Sequence, residues 1–143
     1  MTPRDVWVSD VVAVRPSAIA GDGLFAVEDL PMGTLVLRLG GRVVTTAELE
    51  RLLAVPDGPY VDTITVGDDA HLVLPSGSPA HYGNHSCDPN LALSGRLEIV
   101  TRRPVAAGEE LTIDYATLSG APGFSMPCTC GSACCRGVIT SGT

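Results

Sequence analysis

The sequence predicts a single, mainly β domain built from several sheets of short strands. Its 143 residues, 45% of them hydrophobic, suffice for one domain with a hydrophobic core and are too few for two of ordinary size. The 16 glycines and 11 prolines divide the chain into short segments, and only one segment follows a helical period. Together these features favour a β-rich fold with many turns.

Strands are predicted where short runs of β-branched and aliphatic residues lie between glycine, proline and aspartate turns. Six segments have this pattern: residues 6–14, 35–39, 60–66, 71–74, 96–101 and 110–115. The first of them is rich in valine and partly alternates between apolar and polar positions, as a half-buried strand does.

One short helix is predicted after Thr45. This threonine can cap the helix, and Glu48, three residues on, completes a capping box. Leu49, Leu52 and Leu53 share a face of it, and the proline at position 56 ends it.

Charge and cysteine content exclude some classes of function. A net charge of −7 repels a phosphate backbone, so we expect cationic partners and no nucleic acid. No segment approaches the roughly 18 apolar residues of a membrane span, so no membrane association is expected. Five cysteines without a signal-peptide pattern favour metal or thiol chemistry over disulfides, and a cytoplasmic location is expected.

Four of the five cysteines lie close together near the C-terminus: Cys128, Cys130, Cys134 and Cys135. Tetrahedral zinc takes four soft ligands, and this Gly/Ser-rich segment can supply three of them. Cys87 is the only cysteine elsewhere and can supply the fourth, which would fix the tail to the rest of the domain. The alternative is that the cysteines are small buried hydrophobic residues or free thiols.

Three further motifs contain candidate ligand-binding residues. Residues 84–90, Asn-His-Ser-Cys-Asp-Pro-Asn, hold both asparagines of the chain and one of its three histidines. Residues 21–25, Gly-Asp-Gly-Leu-Phe, permit close backbone approach to a ligand, although a β-turn would also explain them. Residues 108–115, Gly-Glu-Glu-Leu-Thr-Ile-Asp-Tyr, end in a tyrosine that packing alone could explain.

In this order the motifs resemble the SET domain, a methyltransferase family, followed by a post-SET zinc-binding tail. The resemblance extends over about residues 11–138. It implies a mainly β SET fold of several short-stranded sheets with a threaded, pseudoknot-like C-terminal segment. Residues 1–118 would form the SET domain, and residues 119–143 would form the post-SET segment, packed on it as one structural unit. The metal ligands that it implies are Cys87, Cys128, Cys130 and Cys135, which leaves Cys134 spare.

The resemblance also implies an S-adenosylmethionine-dependent N-methyltransferase that acts on lysine. The family's cofactor-binding positions fall on eight residues: Gly21, Asp22, Gly23, Leu24, Phe25, Tyr82, Asn84 and His85. In the family pattern, the glycine segment and Asn84 hold the methionine end of the cofactor and His85 supports the adenine. Tyr115 matches the catalytic tyrosine beside the transferred methyl group. All nine basic residues are arginines, so such an enzyme would have no lysine of its own to modify.

Three positions differ from the family pattern. His81 stands where an arginine is common, while Leu39 and Leu93 stand where aromatic hydroxyls often line the lysine channel. Tyr115 would then line the channel with Tyr60 or Tyr82. A SET-fold methyltransferase that acts on a small amine, amino acid or peptide is therefore one alternative to a protein-lysine enzyme. A non-catalytic, zinc-stabilised binding module is another, and the short sheet edges would allow a homodimer.

Overall fold

A computed structural model of the protein describes residues 5–19, 21–55, 63–75, 79–95, 97–118, 125–128 and 130–140. This part of the chain contains thirteen strands and one α-helix, so the predicted mainly β class is confirmed. The strands are β1 (Trp7–Val8), β2 (Val12–Pro16), β3 (Asp22–Ala26), β4 (Leu35–Arg38), β5 (Arg42–Val44), β6 (Thr63–Gly67), β7 (Ala70–Val73), β8 (Asn84–His85), β9 (Leu91–Ser94), β10 (Glu98–Thr101), β11 (Glu110–Ile113), β12 (Ser125–Pro127) and β13 (Val138–Thr140). Helix α1 spans Thr46–Leu53, and two 3₁₀ turns span Pro79–Tyr82 and Tyr115–Thr117.

The described strands form four small sheets. Two of them have four strands each, in the orders β1-β4-β10-β9 and β2-β3-β11-β8. A three-stranded sheet has the order β5-β7-β6, and β12 pairs with β13 in the tail. In the second sheet β11 lies between β3 and β8, two strands that precede it by many residues in the chain.

One hydrophobic core joins the three larger sheets. Its most buried members include Leu24, Val36, Leu72, Ile99 and Leu111, each from a different strand. Because burial of apolar surface is the main force that favours folding, this core fixes β3 and β11 firmly in place beneath the candidate site.

A second, smaller cluster joins the tail to the turn that follows β11. Ile139 of β13 is fully buried and packs with Cys128 and Ala116, and the partly buried Tyr115 and Cys87 border them. The tail is therefore held by apolar contacts as well as by its cysteines.

The helix and most predicted strands are found, with local differences. Thr45 caps α1 in a complete capping box with Glu48, and Leu49 is buried. Leu53 was expected on the same face but is 57% exposed, because it is the last residue of the helix and no further turn covers it. Of the predicted strand segments, residues 60–62 and Arg96 lie outside the described residues.

The predicted strand over residues 6–14 is wrong as a single element. A turn at Ser9 divides it: the Val12 N–H donates to the Ser9 carbonyl at 3.1 Å, and the Val11 N–H donates to the Ser9 hydroxyl at 3.3 Å. The two halves then join different sheets, β1 with β4 and β2 with β3. Among the described residues no helix has the length and apolar character needed to cross a membrane.

Candidate active site and adjoining metal centre

Strand β11 brings the three ligand-binding motifs to one place. It is antiparallel to β3 through Glu110 with Phe25 and Leu111 with Leu24. It is parallel to β8 through Thr112 with Asn84 and Ile113 with His85. The change of partner midway along β11 sets the glycine segment, the Asn-His pair and the tyrosine beside one another. The buried side chain of Asn90 fixes this register, because its oxygen accepts the Thr112 N–H at 2.9 Å.

The Asn84 side chain is oriented by three neighbours. Its amide nitrogen donates to Glu110 Oε2 at 2.8 Å, to Ser17 Oγ at 3.1 Å and to the Asp22 carbonyl at 3.2 Å. The Ser17 hydroxyl also donates to Glu110, at 2.7 Å. An amide has its donor and acceptor on opposite branches, so anchoring of the nitrogen fixes the direction of Oδ1.

The two glycines of the first motif serve different purposes. Gly21 has a φ of +45°, a conformation that residues with a side chain rarely adopt. Gly23 leaves space for a neighbour, because a Cβ at this position would lie 2.3 Å from Glu110 Oε2 and the carboxylate would have to move. The absence of a side chain at Gly23 therefore lets Glu110 approach the strand and reach Asn84.

Leu24 and Phe25 lie within the sheet. They pair with β2 on one edge and with β11 on the other, and the Leu24 side chain is 1% exposed. The buried side chain of Leu24 is therefore part of the core, while the side chain of Phe25 is half-buried. Asp22 and Gly23 lie beyond the pairing with β11, at the end of β3 nearest Asn84.

Tyr115 lies just after β11, at the start of a 3₁₀ turn, and not on the strand where it was predicted. Strand pairing ends at Ile113, because the Asp114 side chain accepts the Ala116 N–H at 3.0 Å and caps the turn. The Tyr115 hydroxyl donates to the carbonyl of Gly83, the residue that precedes Asn84. The phenol is therefore anchored beside the Asn84 backbone.

His85 is 5% exposed and links two parts of the site. Its Nδ1 accepts the Tyr115 N–H at 3.0 Å, and its ring lies 5.2 Å from the Tyr115 ring. Burial lowers the pKa of His85, and the carboxylate of Asp114 offsets only part of this effect. In the neutral ring Nε2 then carries the hydrogen, and it lies 3.3 Å from the sulfur of Cys87. Both ring nitrogens therefore face protein groups, so a hydrogen bond from either of them to adenine is not expected.

The four predicted metal ligands lie together. The Sγ atoms of the cluster all lie within 4.8 Å of one another, and its members are Cys87, Cys128, Cys130 and Cys135. The Cys128 sulfur lies 3.9 Å from that of Cys87 and 3.8 Å from that of Cys135. A tetrahedral zinc ion with Zn–S bonds of about 2.3 Å places its sulfurs about 3.8 Å apart, so the spacing fits the ion. Cys134 is exposed and lies outside the cluster; its thiol donates to the Cys87 carbonyl at 3.3 Å.

The cysteine environments also fit a cation. Burial raises the pKa of the Cys128 thiol to about 12, and a hydrogen bond with the Ser132 hydroxyl lowers the pKa of Cys130 to about 5. The hydrogen bond thus favours the thiolate form of Cys130, while burial disfavours the thiolate form of Cys128 unless a positive charge lies nearby. A divalent ion that coordinates all four sulfurs would supply that charge.

The remaining predicted residues do not converge as closely. Tyr82 is 43% exposed at the end of its 3₁₀ turn, and Tyr60 lies outside the described residues. Leu39 is 2% exposed and belongs to the core, and Leu93 is half-buried on β9. Sequence reasoning missed the roles of Ser17 and Glu110. Glu110 was within a recognised motif, but nothing local to Ser17 indicates that it contacts residue 110.

Comparison with known proteins agrees with this arrangement. Residues 21–116 match the SET domain family. Human histone-lysine N-methyltransferase 2D is 31% identical over 146 residues, which cover 93% of this chain and 3% of that protein. Histone-lysine N-methyltransferase SUV39H2 of Gallus gallus is 30% identical over 149 residues, which cover 83% of this chain and 37% of that protein.

A solved structure has the same fold. The methyltransferase domain of human histone-lysine N-methyltransferase SETMAR superimposes with a TM-score of 0.69 and 24% sequence identity, over 91% of this chain and 58% of that one. The fold and the three converging motifs thus define a SET-domain protein, and the predicted SET fold is confirmed. The chain belongs to the SET-domain family. It spans well under half the length of both curated relatives.

Proposed function

We propose that this protein is an S-adenosylmethionine-dependent N-methyltransferase that modifies lysine side chains of proteins and contains a structural zinc ion. The observation that carries the proposal is the position of the Tyr115 hydroxyl, bound to the Gly83 carbonyl beside an Asn84 whose amide is already oriented. Packing alone does not require that the Tyr115 phenol and an oriented Asn84 amide lie beside the glycine-containing end of β3. The histone-lysine methyltransferase relatives support lysine as the target.

The amino-acid end of the cofactor would lie between the end of β3 and Asn84. Glu110 and Ser17 hold the Asn84 amide nitrogen, and we expect its Oδ1 to accept a hydrogen bond from the cofactor's ammonium group. The Glu110 carboxylate adds negative charge nearby, and no arginine or lysine contacts it among the described residues. This charge would favour a cationic ligand.

Tyr115 would contribute by positioning. S-adenosylmethionine supplies an activated methyl group on a sulfonium centre. The Tyr115 hydroxyl, held by Gly83, would orient the incoming amine toward that methyl group. A free lysine has a pKa of about 10.4 and must lose its proton before it attacks, and a desolvating channel favours the neutral amine. No side chain is required as a general base.

The cysteine cluster would hold zinc in a purely structural role. All four ligand positions would be occupied by protein thiolates, so no open position is left for substrate or water. Cys87 belongs to the loop after β8, and the other three belong to the tail, so the ion would fasten the tail beside Tyr115.

Asn84→Ala is expected to weaken S-adenosylmethionine binding about ten-fold or more while leaving the protein folded. The substitution removes an acceptor that a charged group uses, a loss of about 1 to 3 kcal/mol. Isothermal titration calorimetry with zinc-loaded protein measures this effect. Thr101→Val is the matched control: Thr101 belongs to β10, in a different sheet from Asn84, and its buried hydroxyl accepts the Thr34 N–H and donates to the Pro31 carbonyl, so its loss should lower the melting temperature without a ten-fold loss of affinity. An unchanged dissociation constant for Asn84→Ala would place the cofactor elsewhere.

Transfer of label from S-adenosylmethionine tests the proposed substrate class. Zinc-loaded protein should label the proteins of a lysate, and prior acetylation of the lysate should abolish the signal because it blocks lysine amines. Self-labelling should be close to zero, since all nine basic residues are arginines. Label in a pool of free amines and amino acids, with none in proteins, would favour the small-amine alternative, which the apolar Leu39 and Leu93 support. Undetectable cofactor binding would favour the non-catalytic module.

A further inference from the structure

Cys87 differs from the other cysteines of the cluster in the side chains that donate to its sulfur. His85 Nε2 lies 3.3 Å from this sulfur, and both Nε and the backbone N–H of Arg136 lie 3.4 Å from it. Three N–H groups therefore surround one thiol. Donors in this arrangement stabilise the negative charge of a thiolate, the form that binds metal.

Arg136 also reaches the turn of Tyr115. Its Nη2 donates to Asp114 Oδ1 at 2.6 Å, and the same oxygen accepts the Ala116 N–H and caps the 3₁₀ turn. The guanidinium thus joins two anionic groups, the Cys87 sulfur and the Asp114 carboxylate. The planar group presents several N–H donors in fixed directions, which the single ammonium of a lysine does not.

A second path runs through His85. This ring contacts the Cys87 sulfur with one nitrogen and accepts the Tyr115 N–H with the other. Both the backbone of Tyr115 and the cap of its turn are therefore tied to a single metal ligand, one through His85 and one through Arg136.

We propose that Arg136 is a positioning residue that couples the metal centre to Tyr115. It holds the Cys87 thiolate toward the metal and, through Asp114, holds the turn from which the Tyr115 phenol projects. This inference rests on the zinc centre and on the catalytic role of Tyr115 proposed above. Loss of the guanidinium should therefore loosen both ends of the network, although Arg136 is not expected to touch substrate or cofactor.

Zinc release tests the metal end of the network. After zinc content has been measured, Arg136→Gln and Arg136→Lys should release zinc to a chromogenic chelator at least ten-fold faster than the parent. Arg103→Gln is the matched control, because Arg103 is an exposed arginine bound to Asp88, the residue next to Cys87. It should release zinc within two-fold of the parent rate. Equal acceleration by Arg103→Gln would mean that nearby charge alone matters, which would overturn the proposal.

Fluorine NMR tests the Tyr115 end without an activity assay. The chain has three tyrosines, so incorporation of 3-fluorotyrosine gives three signals, and Tyr115→Phe assigns the relevant one. Arg136→Gln and the milder Arg136→Lys should shift or broaden the Tyr115 signal and leave the other two in place. This inference alone would be overturned if the unsubstituted protein retains zinc while the Arg136 variants release zinc at the same rate and keep the Tyr115 signal unchanged. A parent without zinc would overturn the metal centre as well.

Discussion

Replacing Cys128 with serine is expected to abolish stoichiometric zinc binding and to lower the melting temperature by roughly 10 °C or more. Cys128 is 8% exposed and lies within 4 Å of two other cluster sulfurs, so its replacement removes a buried ligand from among the four sulfurs. Structural zinc sites contribute about 10 to 16 kcal/mol of apparent binding free energy in small peptides, and much of that would be lost here. Metal analysis of the purified protein and a thermal melt measure the two effects.

Cys134→Ser is the control for that result, because it makes the same chemical change in the same segment. Its thiol is exposed, donates to the Cys87 carbonyl at 3.3 Å and lies 3.7 Å from the Ser132 hydroxyl. We expect one zinc per chain and a melting temperature within about 2 °C of the parent. Equal zinc loss in the Cys134 and Cys128 variants would refute the assignment of ligands.

Tyr115→Phe is expected to reduce methyl transfer ten-fold or more, while S-adenosylmethionine binding stays within a few-fold of the parent. A hydroxyl that orients the amine toward the methyl group acts mainly in the transition state, so its loss lowers the rate more than the affinity. A ten-fold loss corresponds to about 1.4 kcal/mol, which a single misplaced hydrogen bond can account for. Single-turnover kinetics and calorimetry on the same preparation separate the two quantities.

Tyr82→Phe provides the matching comparison, since it removes a phenol hydroxyl from an exposed position a few residues before Asn84. It should transfer methyl groups within about two-fold of the parent. If Tyr115→Phe is as fast as the parent, Tyr115 contributes only packing, and Tyr82 or Tyr60 becomes the candidate for the catalytic hydroxyl.

The sequence predicts those parts of the fold that depend on near neighbours. The capping box of Thr45 and Glu48 joins residues three apart, and it is present as expected. The division of residues 6–14 was missed because its two halves pair with different strands, β1 with β4 and β2 with β3, and the pattern of apolar residues does not show which strands those are. Strand β3 was not among the predicted strands, because its glycines are compatible with a turn locally, while its pairing with β2 and β11 makes it a strand.

The sequence indicates which residues form the candidate site but not which of them contact one another. The motifs indicate Asn84, His85, Tyr115 and the cysteines, yet the bond between Ser17 and Glu110 joins residues 93 positions apart. Likewise, the contact of Arg136 with Asp114 depends on how the tail folds back. Such contacts follow from strand order, which no local pattern determines.

Because β11 lies between β3 and β8, the two halves of the site differ in the loop-closure entropy that their formation costs. The contact from Asn84 to Glu110 closes a loop of 26 positions, whereas that from Ser17 to Glu110 closes one of 93. For flexible chains the longer closure costs about 1 kcal/mol more. A disordered chain therefore forms one half of the site, with Asn84, His85 and Tyr115, at the lower entropy cost. Docking of the glycine-containing strand β3 then completes the site.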